Sequence, residues 1–100
     1  MLDVRIAGVG MTRFGRRPEP LQALMAEAAR AALADAGGEP PDAIVVATMN
    51  PEEFIGEGNF ASQIATYMGF ARTPALRVET ATSSGAAALF SAYTAIAASV

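Results

Sequence analysis

The chain has 100 residues, 52% of them hydrophobic and 17% charged, and a formal net charge of −3. That is the size of one ordinary domain or a piece of a larger one, and the composition is too apolar for a disordered chain. With no block of like charges, no cysteine and no histidine, it offers no basic surface for nucleic acid, no disulfide and no thiolate or imidazole metal site.

Val4, Ile6 and Val9 lie in a short apolar run closed by Gly8-Val9-Gly10, and this predicts a first strand over Asp3 to Val9. With Asp3 and Arg5 inside that run, the N-terminus does not read as a signal peptide. Gly10 to Glu19 reads as a loop carrying Arg13, Arg16 and Arg17, the basic cluster of the chain. Such a cluster is most simply solvated surface, with phosphate contact as the alternative. Gly8-Val9-Gly10-Met11-Thr12-Arg13 partly matches a dinucleotide fingerprint, but Arg13 stands where the third glycine is needed. The simpler reading is a pair of glycines for a tight exit from a strand.

Pro20 opens a helix in which Leu21, Leu24, Met25, Ala28, Ala29, Ala32 and Leu33 share one face. Glu27, Arg30 and Asp35 fall away from that stripe, and Gly37-Gly38 stops it. After the Pro40-Pro41-Asp42 turn, Ala43 to Met49 is continuously apolar, the pattern of a strand covered on both faces. Asn50 to Gly58 is a polar loop in which Glu52 and Glu53 could serve a metal or acid–base chemistry, although adjacent carboxylates usually point apart. Phe60, Ile64, Tyr67 and Met68 mark a second helix ended by Gly69, and Pro74 precedes a third strand over Ala75 to Thr80.

The last helix runs from about Ser83 to Val100 and is apolar on nearly all sides, which predicts burial between two layers of the intact protein and exposed, self-associating surface in this segment alone. Its apolar stretch, Gly85 to Val100, falls short of the ~18 residues of a membrane span, so no membrane association is expected and a cytoplasmic protein follows by default. The order β-α-β-α-β-α predicts an α/β fold with a mainly parallel sheet and right-handed crossovers. The chain ends inside the last helix without Gly, Pro or a polar cap. We therefore expect residues 1–100 to be the N-terminal domain of a longer polypeptide whose C-terminal half is absent, or a gene product cut short.

Val78-Glu79-Thr80-Ala81-Thr82-Ser83-Ser84-Gly85 joins the third strand to that last helix. A side chain at such a junction faces helix amides and the positive end of the dipole, so the amides of residues 82 to 85 could receive an oxyanion. A cysteine there would have a lowered pKa, whereas a threonine hydroxyl needs an adjacent base to act as a nucleophile. Three roles stand open for Thr82: a simple N-cap shared in kind by Ser83 or Ser84, a hydrogen-bonding group in a pocket, and a covalent nucleophile.

The turn resembles the nucleophile turn of the thiolase superfamily, in which a cysteine and a small residue precede Ser-Gly and alanines; Thr82 holds the cysteine position. The resemblance extends along the chain. Gly8-Val9-Gly10-Met11-Thr12-Arg13-Phe14-Gly15-Arg16 is similar to the opening of sterol-carrier-protein-type thiolases. Glu27-Ala28-Ala29 through Asp35-Ala36-Gly37, Ala61 to Gly69 and Pro74 to Glu79 follow in the family's order. The resemblance implies an α/β/α/β/α layered fold of two similar halves, assembled as a homo-oligomer. It implies acyl transfer between coenzyme A and an acceptor by Claisen condensation or its reverse, with the coenzyme A thioester as substrate and no bound cofactor. Thr82 then takes the catalytic position, and Ser84 and Gly85 the contacts to the coenzyme A thioester. The family's histidine and second cysteine come from the C-terminal half, so this chain alone is expected to be inactive. Replacement of the cysteine also resembles thiolase-like aldolases that cleave acyl-CoA without a covalent step and work with a small OB-fold protein. A non-catalytic acyl-CoA-binding subunit and a nucleotide-binding α/β domain are the remaining alternatives.

Overall fold

The computed structural model describes residues 3–16, 18–48 and 60–98. Among the described residues five elements follow one another: α1 (Leu21–Asp35), β1 (Ile44–Ala47), α2 (Phe60–Tyr67), β2 (Ala75–Val78) and α3 (Ser84–Ala97). The two strands pair in parallel, with Ile44 opposite Ala75 and Ala47 opposite Val78. A parallel pair needs a crossover, and α2 lies within it. The chain is thus a small α/β domain with helices on both faces of its sheet.

Alternation along β1 sorts its side chains between the two faces. Val46 enters the core with Phe60, Ala61 and Ile64 of α2, while Leu21, Met25, Ile44, Met68 and Ala75 pack around them. Phe60 is fully buried. On the other face, Val45 shares a cleft of about 300 Å3 with Ala92, Ala95 and Ile96 of α3.

The helix ends form as the glycines require. Gly37 and Gly38 have φ of +110° and +85°, and Gly69 has +88°. The Gly38 amide reaches the Leu33 carbonyl at 2.7 Å and the Gly37 amide the Ala34 carbonyl at 3.2 Å. The same pair of bonds closes α2, from Phe70 to Ala65 at 2.7 Å and from Gly69 to Thr66 at 3.0 Å. Both are Schellman closures, which satisfy the last carbonyls and need a residue free to turn left-handed.

The first strand departs from expectation. The strand predicted over Asp3 to Val9 does not form; residues 3–10 belong to no ladder and no helix. The cause is the partner on offer. Gly8 and Gly10 press onto the backbone of α1, so that a Cβ on Gly8 would lie 2.5 Å from the Ala32 carbonyl oxygen and 2.7 Å from the Ala36 nitrogen. The Val9 amide donates to the Asp35 carboxylate at 3.0 Å, where a strand would have offered it to a neighbour. The glycines therefore serve close approach to a helix, and neither has a positive φ. The dinucleotide pattern loses its context as well, since no strand precedes it and α1 begins only at Leu21.

α3 shows the apolar surface expected of residues 1–100 alone, its burial being an expectation for an intact protein with a second layer. Ala87, Ala88, Ser91 and Ala92 are half-buried, but Leu89, Phe90, Tyr93 and Ile96 are 62%, 68%, 45% and 51% exposed. The sheet covers one side only, so a helix apolar on nearly all sides leaves the other side open. Strands two and three are shorter than expected, ending at Ala47 and Val78. The Asn50–Gly58 loop with Glu52 and Glu53, and also Met49, Arg17 and Val100, lie outside the described residues.

Candidate nucleophile turn between β2 and α3

β2 delivers the chain to the N-terminus of α3 through Glu79 to Ser83. The bend is made at Ala81, whose φ is +53°. Left-handed backbone is uncommon for a residue with a Cβ and costs roughly 1–2 kcal/mol. Thr82 follows directly and is exposed, as are Ala81 and Ser83. The reversal therefore lifts residue 82 clear of the strand at the mouth of the helix.

Hydroxyl groups hold the bend. Ser84, only 6% exposed, donates to the Ala81 carbonyl at 2.8 Å and accepts the Thr80 amide at 2.9 Å. Ser83 donates to the Thr80 carbonyl at 2.9 Å, and its oxygen lies 2.7 Å from Thr80 Oγ1. The amides of Ser83 and Ser84 return to the carbonyls of Thr80 and Ala81. Ser83 occupies the N-cap position but makes no side-chain capping bond, because Thr80 draws its hydroxyl back into the turn. The N-cap role offered for Ser83 is thus met in position only. The first-turn amides of Gly85 and Ala86 have no side-chain cap, and nothing lies within 4 Å of where a Gly85 Cβ would be.

Sequence reasoning named Thr82, Ser84 and Gly85, and the fold brings all three to this junction. It missed Ala81 and Thr80. Ala81 carries no signal, since alanine is not a residue chosen for positive φ. Glu79, the carboxylate nearest in sequence, is paired with Arg77 at 3.0 Å. Arg13 and Phe14 border an open cleft with Met11 and Thr12, a separate place from the turn. Among the described residues no cluster of His, Cys, Asp or Glu could hold a metal ion.

No family model matches the chain. It is 39% identical over 92 residues to an acetyl-CoA acetyltransferase of Methanocaldococcus jannaschii, covering 89% of the chain and 24% of that protein. It is 37% identical over 100 residues to an acetyl-CoA acetyltransferase of Methanothermobacter thermautotrophicus, covering 97% of the chain and 26% of that protein. The chain belongs to the thiolase superfamily. It spans about a quarter of the length of the curated relatives it matches. As a thiolase-superfamily chain it carries no cysteine anywhere, so it has no thiol to place at the turn. No helix among the described residues is long and apolar enough to cross a membrane.

Proposed function

We propose that this chain is part of a protein acting on acyl-CoA thioesters, and that the β2–α3 turn is where the thioester meets it. The relatives' name, acetyl-CoA acetyltransferase, supports the substrate class. The exposed Thr82 beside the uncapped amides of Gly85 and Ala86 is the observation that carries the site. Those donors favour the developing negative charge of a thioester oxygen, and the open space at Gly85 gives it room.

Thr82 contributes a hydrogen-bonding hydroxyl. Its ordinary ionisation lies far above neutral pH, the chain has no histidine, and Glu79 is occupied by Arg77. Within this chain no base stands beside Thr82, so an acyl-threonine intermediate would need one supplied from outside these residues. This favours the second reading within the family, cleavage or transfer of an acyl-CoA without a covalent acyl-enzyme, in which a small OB-fold partner would complete the assembly. A homo-oligomer belongs to the same proposal.

Acetyl-CoA offered to the native chain should leave Thr82 unmodified by intact-mass measurement. Thr82→Cys should instead create a thiol that reacts with iodoacetamide near pH 7 several-fold faster than free cysteine, because the helix end favours the thiolate. A thiol no more reactive than free cysteine would sink the site. An acetyl group found on native Thr82 would overturn the non-covalent reading.

A further inference from the structure

Ser84 is set apart within its turn: it is 6% exposed, while Ala81, Thr82, Ser83 and Gly85 are all exposed. We infer that Ser84 is a positioning residue, whose hydroxyl clamps Ala81 in its left-handed conformation and so fixes the direction in which residue 82 points. The inference rests on the proposed thioester site, and deepens it by assigning the group that holds its geometry.

The hydroxyl is used in both senses. Its proton goes to the Ala81 carbonyl at 2.8 Å, and its oxygen takes the Thr80 amide at 2.9 Å. These two backbone groups flank the Ala81 residue whose φ is +53°. One side chain thus ties the peptide that leaves the strained residue, and the Glu79–Thr80 peptide one residue upstream of it, to the first turn of α3. With its proton committed to the Ala81 carbonyl, Ser84 has no donor to spare for a thioester oxygen. Neither is it a cap, because it is the first residue of the helix and its oxygen accepts from the preceding strand side. Ordinary back-bonding by a helical serine would use one carbonyl and no upstream amide. Ser83 differs: its hydroxyl is exposed and donates to the Thr80 carbonyl, which its own backbone amide also holds, so losing the hydroxyl leaves that carbonyl bonded. If the Ser84 hydroxyl is lost, the Ser83 and Ser84 amides still hold the Thr80 and Ala81 carbonyls, but the Thr80 amide loses its acceptor; the turn loosens and residue 82 drifts from the Gly85 and Ala86 amides. A glycine at 81 removes the steric penalty and so removes most of the need for the clamp.

The absence of native cysteine makes the thiol introduced by Thr82→Cys a clean reporter. Its alkylation rate is followed against pH in four backgrounds: alone, with Ser84→Ala, with Ser84→Ala and Ala81→Gly together, and with Ser83→Ala. Circular dichroism checks folding in each. Ser84→Ala should move the midpoint of the profile upward and slow alkylation at pH 7 by roughly three- to tenfold. Ala81→Gly should restore most of that loss, and Ser83→Ala should leave the profile in place. A reactive thiol whose profile ignores Ser84→Ala overturns the clamp and leaves the site standing. An ordinary free-cysteine profile in Thr82→Cys alone counts against the site itself. Hydrogen exchange then decides the clamp separately. The Thr80 amide should exchange several-fold faster in Ser84→Ala with Thr82 intact, relative to amides in the middle of α3. Unchanged Thr80 exchange in a folded Ser84→Ala chain rejects the clamp.

Discussion

Glycines with the same backbone freedom answer to different neighbours. Gly10 lies hard against α1: a Cβ there would meet the Ala28 carbonyl oxygen, and would come within 2.5 Å of the Ala32 nitrogen. Both are backbone atoms, which cannot step aside as a flexible side chain would. Gly10→Ala should therefore lift the 3–16 segment from α1, break the Val9–Asp35 bond and destabilise the chain by about 1–3 kcal/mol in urea titrations. Gly85 stands in open space at the first turn of α3. Gly85→Ala should raise stability by up to about 1 kcal/mol, since alanine favours the helix. If the thioester sits above this turn, the added methyl should weaken acetyl-CoA binding at the same time, measured by calorimetry. Greater stability with unchanged binding would place the ligand elsewhere. At this scale Thr82, Ser84 and Gly85 could be read from the sequence, because Ser and Gly before an alanine run mark a helix start. Ala81 could not, because its positive φ belongs to a turn closed by bonds from Ser83 and Ser84, which spacing alone does not foretell.

The helices were the most legible elements. The stripe from Leu21 to Leu33 is half-buried as its period implies, and α1 and α2 stop at the glycines expected to stop them. Apolar spacing is less informative where the partner decides the outcome. Val4, Ile6 and Val9 have the pattern of a strand, but pattern does not say whether a strand or a helix will lie alongside. Here Val4 and Ile6 line a cleft of about 260 Å3 with Leu89, Ala92, Tyr93 and Ile96, and the next residues pack on α1. Asp35 lies off the apolar stripe of α1, as read, but nothing in its spacing foretold that its carboxylate would accept the Val9 amide. Among the elements, α2 holds the centre. Phe60→Ala should cost about 3–5 kcal/mol, because a fully buried ring would leave a cavity between α2, β1 and α1. A loss below ~1 kcal/mol in thermal or denaturant unfolding would mean that this core is not the one that holds the fold.

At the scale of the molecule, the open side of α3 dominates. Leu89, Phe90, Tyr93 and Ile96 are all exposed, and Ile6, which shares a cleft with Leu89, Tyr93 and Ile96, is 73% exposed. Large apolar patches of this kind are uncommon on monomers and drive association. Sedimentation equilibrium should give a mass above the 10.3 kDa of one chain at high concentration. Phe90→Glu should shift it back toward the monomer without loss of helix by circular dichroism. A folded monomer at high concentration would argue that this face is stable in water. The sequence foresaw that α3 is apolar all round. It did not reveal how much of α3 a two-stranded sheet can cover, since that depends on the number of strands.

The parallel register of β1 and β2 also has a consequence in time. Ile44 meets Ala75 across roughly thirty intervening positions, so the ladder yields no hydrogen bond until a long loop has closed. α2 lies inside that loop and packs on both strands, and its formation shortens the search. Folding of this chain should thus wait on the docking of Phe60 and Ile64. The contact of Gly8 and Gly10 with α1 can form after the barrier has been crossed. Damage to α2 would then be felt as slow folding, and damage to the N-terminal segment as fast unfolding. Two substitutions of equal equilibrium cost would leave the chain with quite different lifetimes.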